Sequence, residues 1–212
     1  MGVKPVTGRT RDVVIFLDKL IFQLAKHWLF LANWTWGLYV GLPTLAPVLM
    51  LTGHTWLGNV IYSAYKVACH QLPWRSFFIG GRQMVYTYDE LRTLVGPALT
   101  LRYIGDATIG YKVAICQRDV ATYGTILLAG LVFGLVRRWL VKPLPIWVFV
   151  LSLVPMGIDG ITQLFGLRES NWQLRVITGA LFGLASVWLA YPYLEEGMRD
   201  IRDEVNKKLH LE

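Results

Sequence analysis

The sequence predicts an all-α integral membrane protein, a bundle of about five transmembrane helices with an amphipathic helix at each end. Of its 212 residues, 54% are hydrophobic and 17% are charged, whereas soluble globular chains carry about 25% charged residues. Because a bilayer core takes about 20 apolar residues per helix, long runs without Asp, Glu, Lys or Arg predict spans. Four such runs occur, at Trp28–Tyr65, Val120–Val136, Pro143–Ile158 and Val176–Leu194.

The first two spans follow an amphipathic segment. Residues 11–27 place apolar side chains at helical spacing beside a charged face, which is the pattern of a helix lying in the membrane interface. Span one is predicted at 29–51. Span two is predicted at 55–72, because Pro73 cannot continue a helix that needs its backbone N–H.

Residues 73–115 form the predicted extramembrane segment. Thr87 and Glu90 have the spacing of a capping box, in which each side chain satisfies a free backbone amide at a helix start. The helix that they open is expected to end at Gly96. A further helix is predicted to begin near Gly110 and to run directly into the third span.

The remaining spans are predicted at 120–138, 145–165 and 175–193, followed by a charged amphipathic tail on the membrane surface. The whole chain, 1–212, is predicted to form a single membrane domain. Small residues four positions apart let helix backbones approach closely. They occur as Gly37/Gly41, Gly130/Gly134 and Gly179/Gly183.

The basic net charge points to lipid rather than to nucleic acid. The formal charge is +7, but the basic residues form no aromatic-interleaved patch, and anionic headgroups account for the excess. The nine Trp and ten Tyr suit anchoring at the headgroup level. The expected partner is therefore the bilayer of the cell (cytoplasmic) membrane, crossed several times, and no nucleic acid.

Polar residues at the span ends predict a functional site. In a five-span topology the ends of spans two and four and the starts of spans three and five share one membrane face. Ionisable groups at that depth are costly and therefore indicate function. The residues expected to meet there as polar contacts are Arg75, Ser76, Arg118, Tyr123, Asp159, Gln163, Arg168, Glu169 and Arg175.

Four of the side chains at this face suit a metal ion. Cys69 and His70 end the second span, while Cys116 and Asp119 lie one helical turn apart at the start of the third. Sulfur, imidazole nitrogen and carboxylate oxygen are ligands that Zn²⁺ accepts in proteins. We therefore predict a site for Zn²⁺ or another divalent metal.

Four motifs of this chain occur together: Cys-His-Gln-Leu-Pro-Trp-Arg-Ser from Cys69, Gly-Arg-Gln around Arg82, Cys-Gln-Arg-Asp from Cys116 and Asp-Gly-x-Thr-Gln from Asp159. In these motifs the chain resembles a prokaryotic membrane family catalogued as a domain of unknown function with the label twenty eighty-five. The resemblance implies a polytopic membrane protein, adds Arg82 to the candidate contacts and brings no reaction with it. Many members have a further Cys where this chain has Asp119, an exchange that keeps a metal ligand.

The same residues leave alternatives to the metal open. Cys69 and Cys116 are also placed to form a disulfide. Asp159, paired with Arg75, Arg118 or Arg175, would make a purely structural network. Asp159 and Glu169 would suit acid–base catalysis if they lie close together.

The function predicted from sequence is a polar, metal-binding site at one membrane face that acts on or senses a small or lipid-headgroup ligand. His70 and Arg75 would contact the ligand, and Arg118 would orient the site. One alternative is an accessory subunit that docks other membrane-protein subunits. Another is a transporter of small solutes or ions, with Asp159 and Gln163 on its path. Whether the protein is an enzyme stays open.

Overall fold

Helices account for most of the computed structural model, which describes residues 8–139 and 142–209, except for the side chains at positions 9 and 10. Within these ranges the six helices are α1 Arg9–Leu51, α2 Thr55–Tyr65, α3 Tyr88–Val95, α4 Gln117–Val136, α5 Ile146–Leu164 and α6 Trp172–Leu209. The strands are β1 Phe78–Ile79, β2 Gly105–Asp106 and β3 Gly110–Lys112. They form an antiparallel sheet in the order β1-β3-β2.

The first helix is longer than predicted. The expected interfacial helix at 11–27 and span at 29–51 are parts of one 43-residue helix, because no Gly or Pro interrupts the chain between them. Pro47 removes the amide that would bond to the carbonyl of Pro43, and that carbonyl accepts from the Ala114 N–H at 3.2 Å. The proline therefore creates a docking point for another part of the chain.

The second helix is shorter than the predicted span. It has 11 residues and ends at Tyr65, and at 1.5 Å per residue it is about 17 Å long. The chain then turns through residues 66–72, where Gln71 has a left-handed φ of 53°. Two hydrogen bonds hold this conformation: Gln71 Nε2 donates to the Tyr62 carbonyl at 2.8 Å, and Lys112 Nζ donates to the Gln71 carbonyl.

Residues 73–115, which we name the lobe, contain the sheet and α3. The capping box is confirmed: Glu90 N donates to Thr87 Oγ1 at 3.3 Å, and Thr87 N donates to Glu90 Oε2 at 2.7 Å. The helix ends before Gly96, as expected. The predicted helix from Gly110 is wrong, because that segment is strand β3, paired with both other strands.

Helices α4, α5 and α6 are, among the described elements, those long and apolar enough to cross a membrane. Helix α6 packs between α4 and α5, and α1 packs against α4 and α6. Helix α6 also continues through Pro192 into the charged tail, so the predicted span 175–193 and the tail are one helix. The shared core comprises Trp28, Leu29, Ile126, Ala129, Phe133, Val187 and Tyr191.

Small residues set the distance between α4 and α6. A side chain at Gly179 would approach the Arg118 carbonyl oxygen to 2.7 Å, and one at Gly183 would approach the Thr122 carbonyl oxygen to 2.4 Å. Both distances are shorter than a carbon–oxygen contact allows. The predicted packing role of this pair is thus borne out by the backbone contact, which places the start of α4 against the start of α6.

Candidate functional site

A polar cavity of about 460 Å³ lies where α4 and α6 begin and α5 ends. Its walls come from the 66–72 turn, the start of the lobe and these three helices. The lining residues are Ala68, Cys69, His70, Gln71, Leu72, Arg75, Cys116, Arg118, Asp119, Gln163 and Arg175. Eight of the fourteen residues that the sequence nominated for the site therefore lie on one cavity.

Two cysteines and one aspartate form a cluster in the cavity wall. The ligand atoms of Cys69, Cys116 and Asp119 all lie within 4.8 Å of one another. Cys116 is the N-cap of α4, and its Sγ accepts from the Asp119 N–H at 3.5 Å. Cys69 reaches the same point because α2 has unwound, and its Sγ accepts from the Gln71 N–H at 3.5 Å.

His70 stands apart from this cluster. It is exposed and lines the same cavity, but it does not belong to the group of three mutually close ligands. Cys69 is the residue of the 66–72 turn that forms a hydrogen bond with Cys116. The predicted four-ligand set thus reduces, by geometry, to three.

The two thiols differ in acidity. Both cysteines are free thiols, and a hydrogen bond joins their sulfur atoms. This bond is the main cause that lowers the pKa of Cys69 and raises the pKa of Cys116. Burial and the nearby Asp119 carboxylate raise the pKa of Cys116 further. Cys69 is therefore the sulfur that deprotonates first, and a divalent metal would displace the proton of the second.

Asp159 forms the ion-pair network that the sequence offered as an alternative. Its carboxylate is 1% exposed and pairs with Arg118 and with Arg168, the latter at 2.9 Å. Ser170 Oγ donates to it at 2.8 Å. The network and the cysteine cluster are distinct groups linked through α4, since Arg118 follows Cys116 by two positions.

Arg75 and Arg175 have neutral acceptors. With its amide oriented to satisfy both donors and acceptors, Gln163 accepts from Arg75 Nη2 at 3.0 Å and from Arg175 Nη2 at 3.2 Å. Arg175 Nη1 also donates to Gln117 Oε1 at 3.1 Å. Of the three arginines offered as partners of Asp159, Arg118 forms the ion pair, whereas Arg75 and Arg175 share the Gln163 amide.

Gln117 and Ser170 are the contacts that sequence reasoning missed. Gln117 is fully buried and donates from Nε2 to the Ser76 carbonyl at 3.1 Å, which joins the lobe to α4. Ser76 itself donates from Oγ to the Leu72 carbonyl at 3.0 Å. An uncharged amide or hydroxyl has no distinctive spacing in an apolar chain, and only the place of Gln117 inside the Cys-Gln-Arg-Asp motif offered a signal.

Six nominated residues are not among those lining the cavity. The contacts of Ser76, Asp159 and Arg168 are given above, and the other three are Tyr123, Arg82 and Glu169. Tyr123 stacks on Trp36 with ring centroids 5.3 Å apart and packs against Tyr39. Arg82 and Glu169 are exposed, and neither is among the residues lining the cavity. The two carboxylates offered for acid–base catalysis differ in environment, since Asp159 is buried in its ion-pair network and Glu169 is exposed.

Comparison with known proteins agrees with a membrane assignment. The model of a family described as "Predicted membrane protein (DUF2085)" matches residues 107–189, the range that holds Cys116, Asp119 and Asp159. The uncharacterized protein MJ1492 of Methanocaldococcus jannaschii is 30% identical over 158 residues, 72% of this chain and 83% of that protein. No solved structure matches the chain.

Proposed function

Because this chain belongs to the DUF2085 family of predicted membrane proteins, we propose that it is a multi-pass protein of the cell membrane that binds a divalent metal of the zinc type. The observation that carries the proposal is the convergence of Cys69, Cys116 and Asp119, with ligand atoms within 4.8 Å of one another. Few structural needs bring two thiols and a carboxylate together at the start of a helix.

The donor set suits zinc. Thiolates are soft ligands and a carboxylate is a hard one, and Zn²⁺, which is a borderline ion, is bound by both in proteins. Three protein ligands also leave one tetrahedral position for water or for a ligand from the cavity, as zinc sites that act on substrates do. The half-buried position of both cysteines limits competition from solvent while leaving an entry path.

The outer surface supports the membrane part of the proposal. Helix α5 has a mean hydropathy of 1.5, yet only 11% of its apolar window is buried inside the protein. Large apolar side chains such as Ile146, Trp147 and Leu151 are exposed along it. An apolar face of this extent is suited to lipid, whereas in water it would promote aggregation.

Elemental analysis of the detergent-purified protein tests the metal. We expect about one equivalent of zinc in the unmodified chain, because one set of three protein ligands with one open position binds a single ion. Cys116→Ser should lose the metal, whereas His70→Ala, which alters the same cavity outside the cluster, should keep it. An unmodified chain without metal after chelator-free purification, or an equal content in Cys116→Ser, would refute the proposal.

The accessory-subunit and transporter hypotheses stay predictions. For transport, Asp159 is poorly suited to exchange an ion, since two guanidinium groups and a hydroxyl already occupy its oxygens. A partner that copurifies in fixed ratio with both the unmodified chain and Cys116→Ser would favour the subunit hypothesis over the metal site.

A further inference from the structure

The cavity has more positive than negative charge in its wall. Three guanidinium groups line it, those of Arg75, Arg118 and Arg175, against the carboxylate of Asp119. Asp159 is shared between Arg118 and Arg168, so it does not neutralise either fully. Among the described residues, neither Arg75 nor Arg175 forms an ion pair.

Burial makes this surplus costly. Arg175 is 5% exposed, and its acceptors are the Gln117 and Gln163 amides and, at 3.5 Å, the Trp74 carbonyl. Arg75 is half-buried, and its Nε has no hydrogen-bond partner among the described groups. A buried charge normally has a counter-charge in direct contact, and within the described residues Arg175 has none.

We propose that the cavity binds a phosphate-type anion between Arg75 and Arg175. Both guanidinium groups already meet at the single Gln163 oxygen, so their donors converge on a small region at the cavity wall. Guanidinium forks match the tetrahedral oxygens of phosphate with charge-assisted, paired hydrogen bonds. The anion would supply the negative charge that the protein lacks at this point.

The size of the cavity indicates that the phosphate carries an organic group. A volume of about 460 Å³ exceeds the requirement of a free phosphate ion and falls within the range of small-molecule sites. The source is either a soluble phosphate ester or the headgroup of a phospholipid, because the cavity lies at the end of the bundle. The arginine pair differs from the cysteine cluster, so the anion site does not depend on the proposed metal.

The test uses two samples of the full chain in a neutral detergent, one metal-free and one loaded with zinc. Binding of inorganic phosphate is measured by calorimetry, and retention of phosphatidylglycerol over phosphatidylcholine by native mass spectrometry. Arg75→Gln should weaken binding at least about tenfold, the value of one strong charge-assisted hydrogen bond. Arg82→Gln, which removes an exposed arginine of the lobe, serves as the matched control and should bind normally.

A second variant separates ligand binding from folding. Gln163→Glu places a carboxylate against both arginines, so it should raise the thermal midpoint and abolish anion binding. Phosphate binding lost in both cavity variants indicates a soluble ligand, whereas selective loss of phosphatidylglycerol indicates a lipid. The proposal is wrong if the unmodified chain neither binds inorganic phosphate nor retains phosphatidylglycerol over phosphatidylcholine. It is also wrong if Arg75→Gln binds these probes as tightly as Arg82→Gln does. Anion binding that persists without zinc would separate it from the metal proposal.

Discussion

Asp159 connects separate parts of the site through one carboxylate. It accepts from Arg118 at the start of α4, and from Arg168 and Ser170 in the segment that joins α5 to α6. The pair with Arg118 contributes more to stability than that with Arg168, whose side chain is 42% exposed and better screened by solvent. The carboxylate therefore holds the α5–α6 connection against the first turn of α4.

Removal of this charge should destabilise the protein. We expect Asp159→Asn to lower the free energy of unfolding by about 3 kcal/mol, since it leaves partly buried guanidinium groups without a counter-charge. Thermal unfolding in detergent measures the effect, with the exposed Glu169→Gln as control. An Asp159→Asn midpoint equal to that of Glu169→Gln would show that the network adds no stability.

The buried lysine Lys112 predicts that stability depends on pH. It is 1% exposed, and burial lowers its pKa from 10.5 to about 8. Between these values the unfolded chain binds more protons than the folded chain, so stability rises with pH across this window. The thermal midpoint should therefore increase from pH 8 towards pH 10 more steeply in the unmodified chain than in Lys112→Met. Equal slopes would contradict the assignment to Lys112.

Much of the site was accessible from the residue pattern. Cys69, Cys116 and Asp119 were predictable because reactive side chains at span ends are rare in an apolar chain. The absence of His70 from the cluster of three ligands was not predictable. It depends on the unwound turn at Gln71, whose conformation is stabilised by Lys112 from a distant strand. Contacts between residues far apart in sequence leave no mark on local spacing.

Prolines inside the helices free carbonyls that other elements use. Pro192 leaves the Trp188 carbonyl to accept from the Leu144 N–H at 2.9 Å. In α1, Pro43 leaves the Tyr39 carbonyl to accept from Tyr65 Oη at 2.9 Å, in addition to the bond at Pro43 described above. The helices continue through these prolines because the lost bonds are replaced by tertiary ones.

The glycine pair of α6 should be sensitive to small substitutions. Gly183→Ala places a methyl group against the Thr122 carbonyl of α4, and relief of the clash requires the helices to separate, at a cost of about 1–3 kcal/mol. Gly41→Ala is the matched control, since a methyl group there meets nothing within 4 Å. A lower thermal midpoint is expected for Gly183→Ala alone. Equal midpoints would mean that the α4–α6 interface is not tightly packed.

The helices whose position is determined by local hydropathy were predicted correctly. The elements whose structure depends on contacts with distant residues were not. The apolar runs predicted α4 and α5 closely, and the capping box predicted α3. Strand β3 was missed because a three-residue strand has no detectable period, and its pairing with Phe78–Ile79 spans most of the lobe. The full span at 55–72 was over-predicted because the residues after Tyr65 contain no helix breaker before Pro73.

At the scale of the molecule, helices α4–α6 predict which parts of the chain lie on each side of the membrane. If α4 crosses the membrane once, the lobe and the connection after α4 lie on opposite sides. Thr93→Cys and Arg138→Cys, both at exposed positions, should then react with an impermeant thiol reagent from opposite sides of sealed vesicles. The unmodified chain controls for Cys69 and Cys116. Labelling of both variants from one side would exclude a single crossing by α4.

The cysteine pair also marks the two ends of the lobe. Cys69 lies just before it and Cys116 just after it, with sulfur atoms within 4.8 Å of each other. A segment whose ends adjoin is an insertion in the topological sense, and such segments tolerate changes of length and sequence without moving the elements that flank them. We therefore expect relatives of this protein to differ more in the part of the lobe after Arg82 than in the helices on either side, which should keep their arrangement.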